Sequence, residues 1–226
     1  MNEAPLAFER FTTGDREEWL TRLGRANAPA ILFVPPLFEE MNRTRTLIVA
    51  MMRWLARRGQ SAWLLDLGGT GESERTLGEM GWEDWRHDVT AAAAHIASQA
   101  RKPVIASLRG GALVDDGADA RGWWRFAPLD GTAVARDMER SGLAGGVEWA
   151  GYAPSPTLRE DLAAATPAPL PSGKLRVVRL ATDRGEADAK VEGPALWRRS
   201  EPGQSTELAT ALATDLLAWS RECVAF

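Results

Sequence analysis

Around Ser107-Leu108-Arg109-Gly110-Gly111 the chain has the layout of a nucleophile elbow: an apolar strand run, a tight turn, and small residues two positions before and after the centre. Such a turn lifts its central side chain above the sheet. Ser107 and Gly111 stand where strand and following backbone pass too closely for bulk, and Gly110 offers an N–H to a developing oxyanion. The usual chemistry there is attack of a hydroxyl or thiol on an acyl carbon. Here the centre is Arg109, whose guanidinium stays protonated near neutral pH and has no nucleophilic atom, so the acyl-enzyme route is closed at this position. Ser107 is the nearest hydroxyl, but at a strand end its side chain is expected to pack under the turn in a structural role. The base is missing as well. His87 and His95, the two histidines, both precede the elbow, whereas a triad on this layout runs nucleophile, acid, histidine. On a helical wheel both fall more than about 90° from the apolar centre, which predicts that they face solvent.

Other motifs carry less chemistry. The loop DLGGTGES, starting at Asp66, reads as architecture: its glycines permit positive φ, and Asp66 or Ser73 can accept loop N–H groups. A lone glycine-rich loop is poor evidence for a nucleotide, and no His, Cys and carboxylate cluster has metal-ligand spacing, so neither cofactor nor metal is expected.

The elements that would position these residues alternate short apolar runs with longer amphipathic stretches, the pattern of βαβ units around a parallel sheet. Strands are expected at Ala30–Val34, ended by Pro35-Pro36, at Ser61–Leu65, Pro103–Ser107, Trp123–Ala127 and Leu175–Leu180, with a further candidate at Ala195–Arg198. Helices are expected at Thr44–Arg58, Trp82–Gln99, shortly after Gly111, near Thr132–Ser141 and at Leu208–Ser220. In this reading PPLFEEMN, with Glu39 and Glu40, is a loop. The stretch GVEWAGYAPSPTLREDLAAA has no secure place, and TPAPLPSG reads as an extended surface connection.

Five segments together resemble a known family: FVPPLFEEMNRTR after the first of these strands, DLGGTGES after the second, SLRGGAL at the elbow, VEWAGYAPSPTL, and PALWRRSEPG. The chain resembles the second type of exosortase A system-associated hydrolases, α/β-hydrolases encoded beside exosortase and extracellular-polysaccharide genes. The resemblance spans most of the chain and implies an α/β-hydrolase fold with a mainly parallel central sheet, flanking helices and a reduced lid. Members of this type, as the resemblance implies, also carry Arg at the elbow. By the same analogy Asp183 falls near the place of a triad acid and Glu201 near that of the histidine. Asp130 is a second candidate acid, and an ordinary loop residue is the competing reading for all three. Leu37, Glu39 and Glu40 lie on the loop that borders the oxyanion site in this fold. With Arg109 and Gly110 they form the expected ligand-binding set, in which one carboxylate meets Arg109 in a two-pronged pair.

Composition bounds the rest. At 226 residues with 45% apolar side chains, the chain is expected to be a single domain over residues 1–226. The 27 basic and 31 acidic residues are interspersed, so nucleic acid is not an expected partner. No run approaches the ~20 apolar residues of a membrane span, and the single Cys223 suits a reducing compartment, so the expected location is the cytoplasm. The functional expectation is an anion-binding accessory protein for exopolysaccharide or protein-sorting metabolism, whose ligand is a small anionic, acyl or carbohydrate molecule. An active esterase with a non-standard residue set, or a structural partner of another protein in that system, are the alternatives.

Overall fold

A computed structural model of the chain describes residues 5–141, 151–199 and 201–223. At its centre are apolar runs buried on both faces: β3 (Ala30–Val34), β4 (Ser61–Leu65), β5 (Val104–Leu108) and β6 (Gly122–Phe126), in which every residue is buried. Alternation of side chains sorts these strands onto two cores. Leu32, Trp63, Ile105 and Trp123 face one side, while Ile31, Phe33, Leu64, Val104 and Trp124 face the other. Preceding them, β1 (Leu6–Thr13) and β2 (Arg16–Leu23) form an antiparallel hairpin, and β7 (Leu175–Leu180) and β8 (Ala189–Val191) extend the opposite side. The order is β1-β2-β4-β3-β5-β6-β7-β8, parallel from β4 onward.

Helix α1 (Glu39–Ala56) buries Leu47, Ile48, Met51 and Leu55 on one face of the sheet, and α2 (Trp82–Gln99) buries Trp85, Val89, Ala93 and Ile96 on the other. Between β6 and β7 the chain makes a helical excursion, α3 (Gly131–Ser141) and α4 (Pro156–Ala164), and it closes with α5 (Thr206–Glu222) beside α1. Of the stretch 146–165 that sequence leaves unplaced, 146–150 lie outside the described residues. The remainder holds α4, which starts where the Ser155 hydroxyl accepts the Leu158 N–H at 3.1 Å and Pro156 takes the first turn. No helix among the described residues is long and apolar enough to cross a membrane.

Several expectations are corrected. The stretch after Gly110 is a short 3-10 turn, Arg109–Leu113, and not an α-helix. Two adjacent glycines are poor helix formers, and Asp115 is drawn inward under the sheet. Ala195–Arg198 is not a strand: Leu196–Arg198 is a 3-10 turn whose burial comes from packing near α1, while β8 takes the free edge of β7. Helix α1 begins at Glu39 rather than Thr44. Its first turn thereby holds two carboxylates, where the helix dipole favours negative charge. His87 is exposed, but His95 is half buried under the hairpin, between the rings of Phe11 and Trp63 and beside Glu9 and Gln99. A wheel of α2 alone cannot reveal an antiparallel strand laid across its outer side.

That hairpin anchors through charge. Arg16 meets Glu18 at 3.2 Å, Asp88 at 3.1 Å and Asp84 at 3.4 Å, and Asp88 also accepts the Gly68 N–H at 2.9 Å. One guanidinium therefore serves three carboxylates. Burial pushes both Glu18 and Asp88 above the usual carboxylate range, and their mutual repulsion adds to the rise at Glu18. Groups whose folded pKa is raised hold protons more tightly when folded. Their contribution is fully present below the unfolded value of about 4 and is lost as pH rises through the raised folded value. Denaturant midpoints should accordingly fall as pH rises through that window, and Glu18→Gln should flatten the fall; an unchanged slope in Glu18→Gln would show that this cluster does not set it.

Candidate functional site

Arg109 stands at the carboxyl end of β5 with φ 52°, in the left-handed region that a side chain bearing Cβ rarely adopts. Among the described residues two other non-glycine positions share positive φ, and one of them, Ala127, gives its carbonyl to Arg109. Phe38 (φ 54°) immediately precedes α1, and Ala127 (φ 46°) follows β6. Strain of this kind costs of order 1–3 kcal/mol per residue and persists only where surroundings over-determine it.

The over-determination is visible. The Arg109 Nε donates to Glu40 Oε2 at 3.1 Å and its Nη2 to Oε1 at 3.0 Å, a two-pronged pair between planar groups. Nη1 donates to the Ala127 C=O at 3.3 Å, and the guanidinium carbon lies 4.4 Å from the Trp197 ring centroid. The pair is largely withdrawn from water, with side-chain exposures of 11% for Arg109 and 15% for Glu40. Phe38 is fixed by edge contacts to Trp85 and Tyr152, each with ring centroids at 5.6 Å.

Beneath the turn lies a second buried pair. Arg125 Nη2 and Nε donate to the two oxygens of Asp115 at 2.6 and 3.0 Å, the Ser107 hydroxyl donates to Asp115 Oδ2 at 2.6 Å, and Arg125 Nη1 reaches the Ala168 C=O at 2.9 Å. Burial pushes the Asp115 carboxyl above its usual range, against the pull of Arg125 and Ser107. Ser107 is thus a buried donor. Gly111 must be glycine, since a Cβ there would come within 2.5 Å of the Pro35 C=O and 2.6 Å of that of Val34. Gly110 is closed over by Leu37 and Val134.

Above Arg109 opens a pocket of about 410 Å³. Its wall carries Arg43, Arg109, Arg140 and Arg198 against Glu39, Glu40 and Asp137. Glu39 pairs with Arg43 at 3.5 Å and not with Arg109, and Arg140 pairs with Asp137. Arg198 is exposed and meets no carboxylate among the described residues, so the pocket keeps an excess of positive charge.

The other sequence candidates lie apart from this grip. Asp183, in the turn after β7, takes Arg179 at 2.9 Å and the Gly185 N–H at 2.9 Å. Burial works to raise its carboxyl, but those hydrogen bonds, with the charges of Arg179 and Arg109, hold it below the ordinary value. Asp130 is exposed and opens α3 through its carbonyl, which accepts from Ala133 and Val134. Glu201 is exposed and outside the pocket wall; its segment brings Trp197 to Arg109 instead. Asp66 does not serve the glycine-rich loop, because Arg45 claims its carboxylate at 2.9 Å. The loop amides of Gly68 and Gly69 go to Asp88 and the Ser73 hydroxyl. Among the described residues no group of three or more His, Cys, Asp or Glu side chains is placed to hold a metal ion.

No protein-family model matches the chain, and no curated protein sequence does. Its likeness to solved structures is extensive. A provisionally assigned hydrolase from Agrobacterium vitis S4 superposes with a TM-score of 0.60 at 14% identity, covering 96% of this chain and 99% of that one. The thioesterase domain from the curacin biosynthetic pathway gives 0.60 at 13% identity, covering 94% and 99%. The chain has the α/β-hydrolase fold. In this chain Arg109 stands in the turn that directly follows β5, and α1, which follows β3, presents Glu40 to it.

Sequence reasoning missed Trp197, Asp115 and Arg125. Asp115 and Arg125 carry no local signal as a pair, since a charged residue within a strand run reads only as an interruption. Removing the charge of Asp115 strands a guanidinium that is 3% exposed. Asp115→Asn should therefore cost about 3–5 kcal/mol in denaturant unfolding, and a loss below about 1 kcal/mol, the scale of an exposed pair, would contradict the pairing described.

Proposed function

We propose that this α/β-hydrolase-fold protein performs no serine-hydrolase chemistry and instead binds a small carboxylate- or phosphate-bearing ligand over Arg109, as an accessory to exopolysaccharide or protein-sorting metabolism. The observation that carries this reading is the occupant of the elbow, a guanidinium locked by Glu40, the Ala127 carbonyl and Trp197. No atom of that group attacks an acyl carbon. Neither histidine lines the pocket, so an adjacent hydroxyl would lack a base. The surplus of arginine over carboxylate in the wall supports an anionic ligand. Glu40 then acts as the resident anion, held in the two-pronged geometry that a ligand's carboxylate or phosphate would adopt on displacing it. The assignment to an exosortase-associated system rests on the sequence segments that resemble that family.

Fluorophosphonate probes should leave the protein unlabelled, and Arg109→Ser should gain no esterase activity, because the substitution supplies a hydroxyl without a base. Freeing Arg109 by Glu40→Gln should strengthen the rise in melting temperature that phosphate or acetate produces, whereas Arg109→Met should abolish it. Stoichiometric labelling of the parent, or an anion response identical in the parent and in Arg109→Met, would overturn the reading.

A further inference from the structure

Among the described residues two large apolar side chains are strongly exposed, Leu6 at 58% and Phe8 at 63%. Both sit on the same side of β1, the terminal strand of the sheet. The opposite side of β1 is covered: Phe11 is in the core beneath α2, and Glu9 is held by Gln99 at 2.9 Å and by Arg22 at 2.7 Å. On the α1 side of the sheet the described residues leave Leu6 and Phe8 of β1 uncovered.

The backbone of this strand is open in the same register. Thr13 and Arg16 close the hairpin across Gly14 and Asp15, and such a closing pair exchanges both hydrogen bonds, which makes odd positions of β1 bond inward to β2. At the other end of the strand the Gly24 N–H donates to the Pro5 C=O at 3.0 Å, in agreement with that parity. Leu6, Phe8, Arg10 and Thr12 therefore send their N–H and C=O groups outward. No proline interrupts the strand. A free, regular edge with an apolar face is a template for another strand.

We propose that β1 pairs antiparallel with β1 of a second copy of this chain about a two-fold axis through Phe8, joining the two sheets into one. Parity, charge and the extent of apolar pairing select this register: a centre at Ala7 pairs only Leu6 to Phe8 of β1 and one at Phe11 leaves Leu6 and Phe8 beyond the paired segment, whereas a centre at Phe8 pairs Leu6 to Arg10. Outward-bonding even positions must face one another, so the centre of symmetry falls on an even residue or between two of them. A centre at Glu9 would oppose two glutamates, and one at Arg10 would oppose two arginines, each a destabilising like-charge pair. Centring on Phe8 stacks Phe8 on its mate, sets Leu6 against the aliphatic part of the other copy's Arg10, and puts Glu9 opposite Ala7. Arg10 does not obstruct this: its guanidinium is drawn away over the Trp19 ring at 4.6 Å and toward Glu17 and Glu74. A self-matching register of this kind favours a second copy over a foreign strand.

Sedimentation velocity over a concentration series, with the full chain, tests the proposal. The parent should show a reversible monomer–dimer equilibrium, and Phe8→Lys, at an exposed site that leaves the fold alone, should raise the dissociation constant by about tenfold or more, as the centre of a small interface would. Phe8→Cys should also cross-link to a dimer with a short bis-maleimide. Asp15→Cys should not, because at about 3.3 Å per residue the two hairpin tips would stand roughly 45 Å apart. A parent that stays monomeric to its solubility limit, a dimer that Phe8→Lys leaves intact, or cross-linking through Asp15→Cys would each overturn it.

Discussion

A guanidinium at the carboxyl end of a central strand has to be neutralised where it stands, because the turn that carries it leaves it little water and no freedom to leave. In this protein that constraint shapes everything above the sheet. Helix α1 starts early enough to bring Glu40 to Arg109, the backbone turns left-handed at Ala127 where its carbonyl accepts from the guanidinium, and the 3-10 turn at Leu196–Arg198 lays an indole against the cation. The three strained residues together cost several kcal/mol, on the scale of 1–3 each, against a typical net stability of about 5–15 kcal/mol. An arrangement that expensive persists because the contacts around it are mutually supporting.

Charge is used the same way in two other places, and the comparison shows what is special about the elbow. Asp115 and Arg125 form a closed pair beneath it, almost wholly buried, whose hydrogen-bonding capacity is met by Ser107, the Ala168 carbonyl and each other. Arg16 ties the hairpin to α2 and the glycine-rich loop. The Asp115–Arg125 pair is shut away from solvent, whereas the Arg16 cluster reaches the surface through Asp84. The Arg109–Glu40 pair differs in that it lines a pocket of about 410 Å³.

How much of this is legible in sequence depends on whether a residue's environment is local. β3, β4 and β7 and the whole of α2 fall where apolar runs and helical periodicity put them, because strands buried on both faces and a helix with one core side leave strong periodic signals. The β1–β2 hairpin escapes notice since its strands mix charged and apolar residues, and its burial is decided by α2, distant in the chain. β8 has three residues and no pattern to show. Leu196 and Trp197 look like strand because burial and β-propensity coincide, although a compact turn buries them equally well. At the site, Arg109 is legible from the small residues flanking it. The inward reach of Asp115 and the approach of Trp197 are set by tertiary packing and leave no trace in spacing.

The central claim is that Arg109 and Glu40 are energetically one unit, and a double-mutant cycle measures that most directly. Denaturant unfolding of the parent, Arg109→Met, Glu40→Gln and the double variant isolates their coupling from whatever each side chain contributes alone. The account predicts a favourable coupling of about 1–3 kcal/mol, above that of an exposed ion pair and within reach of a mostly buried, two-pronged one. Losses that simply add, to within about 0.5 kcal/mol, would show that the two side chains are neighbours without being partners.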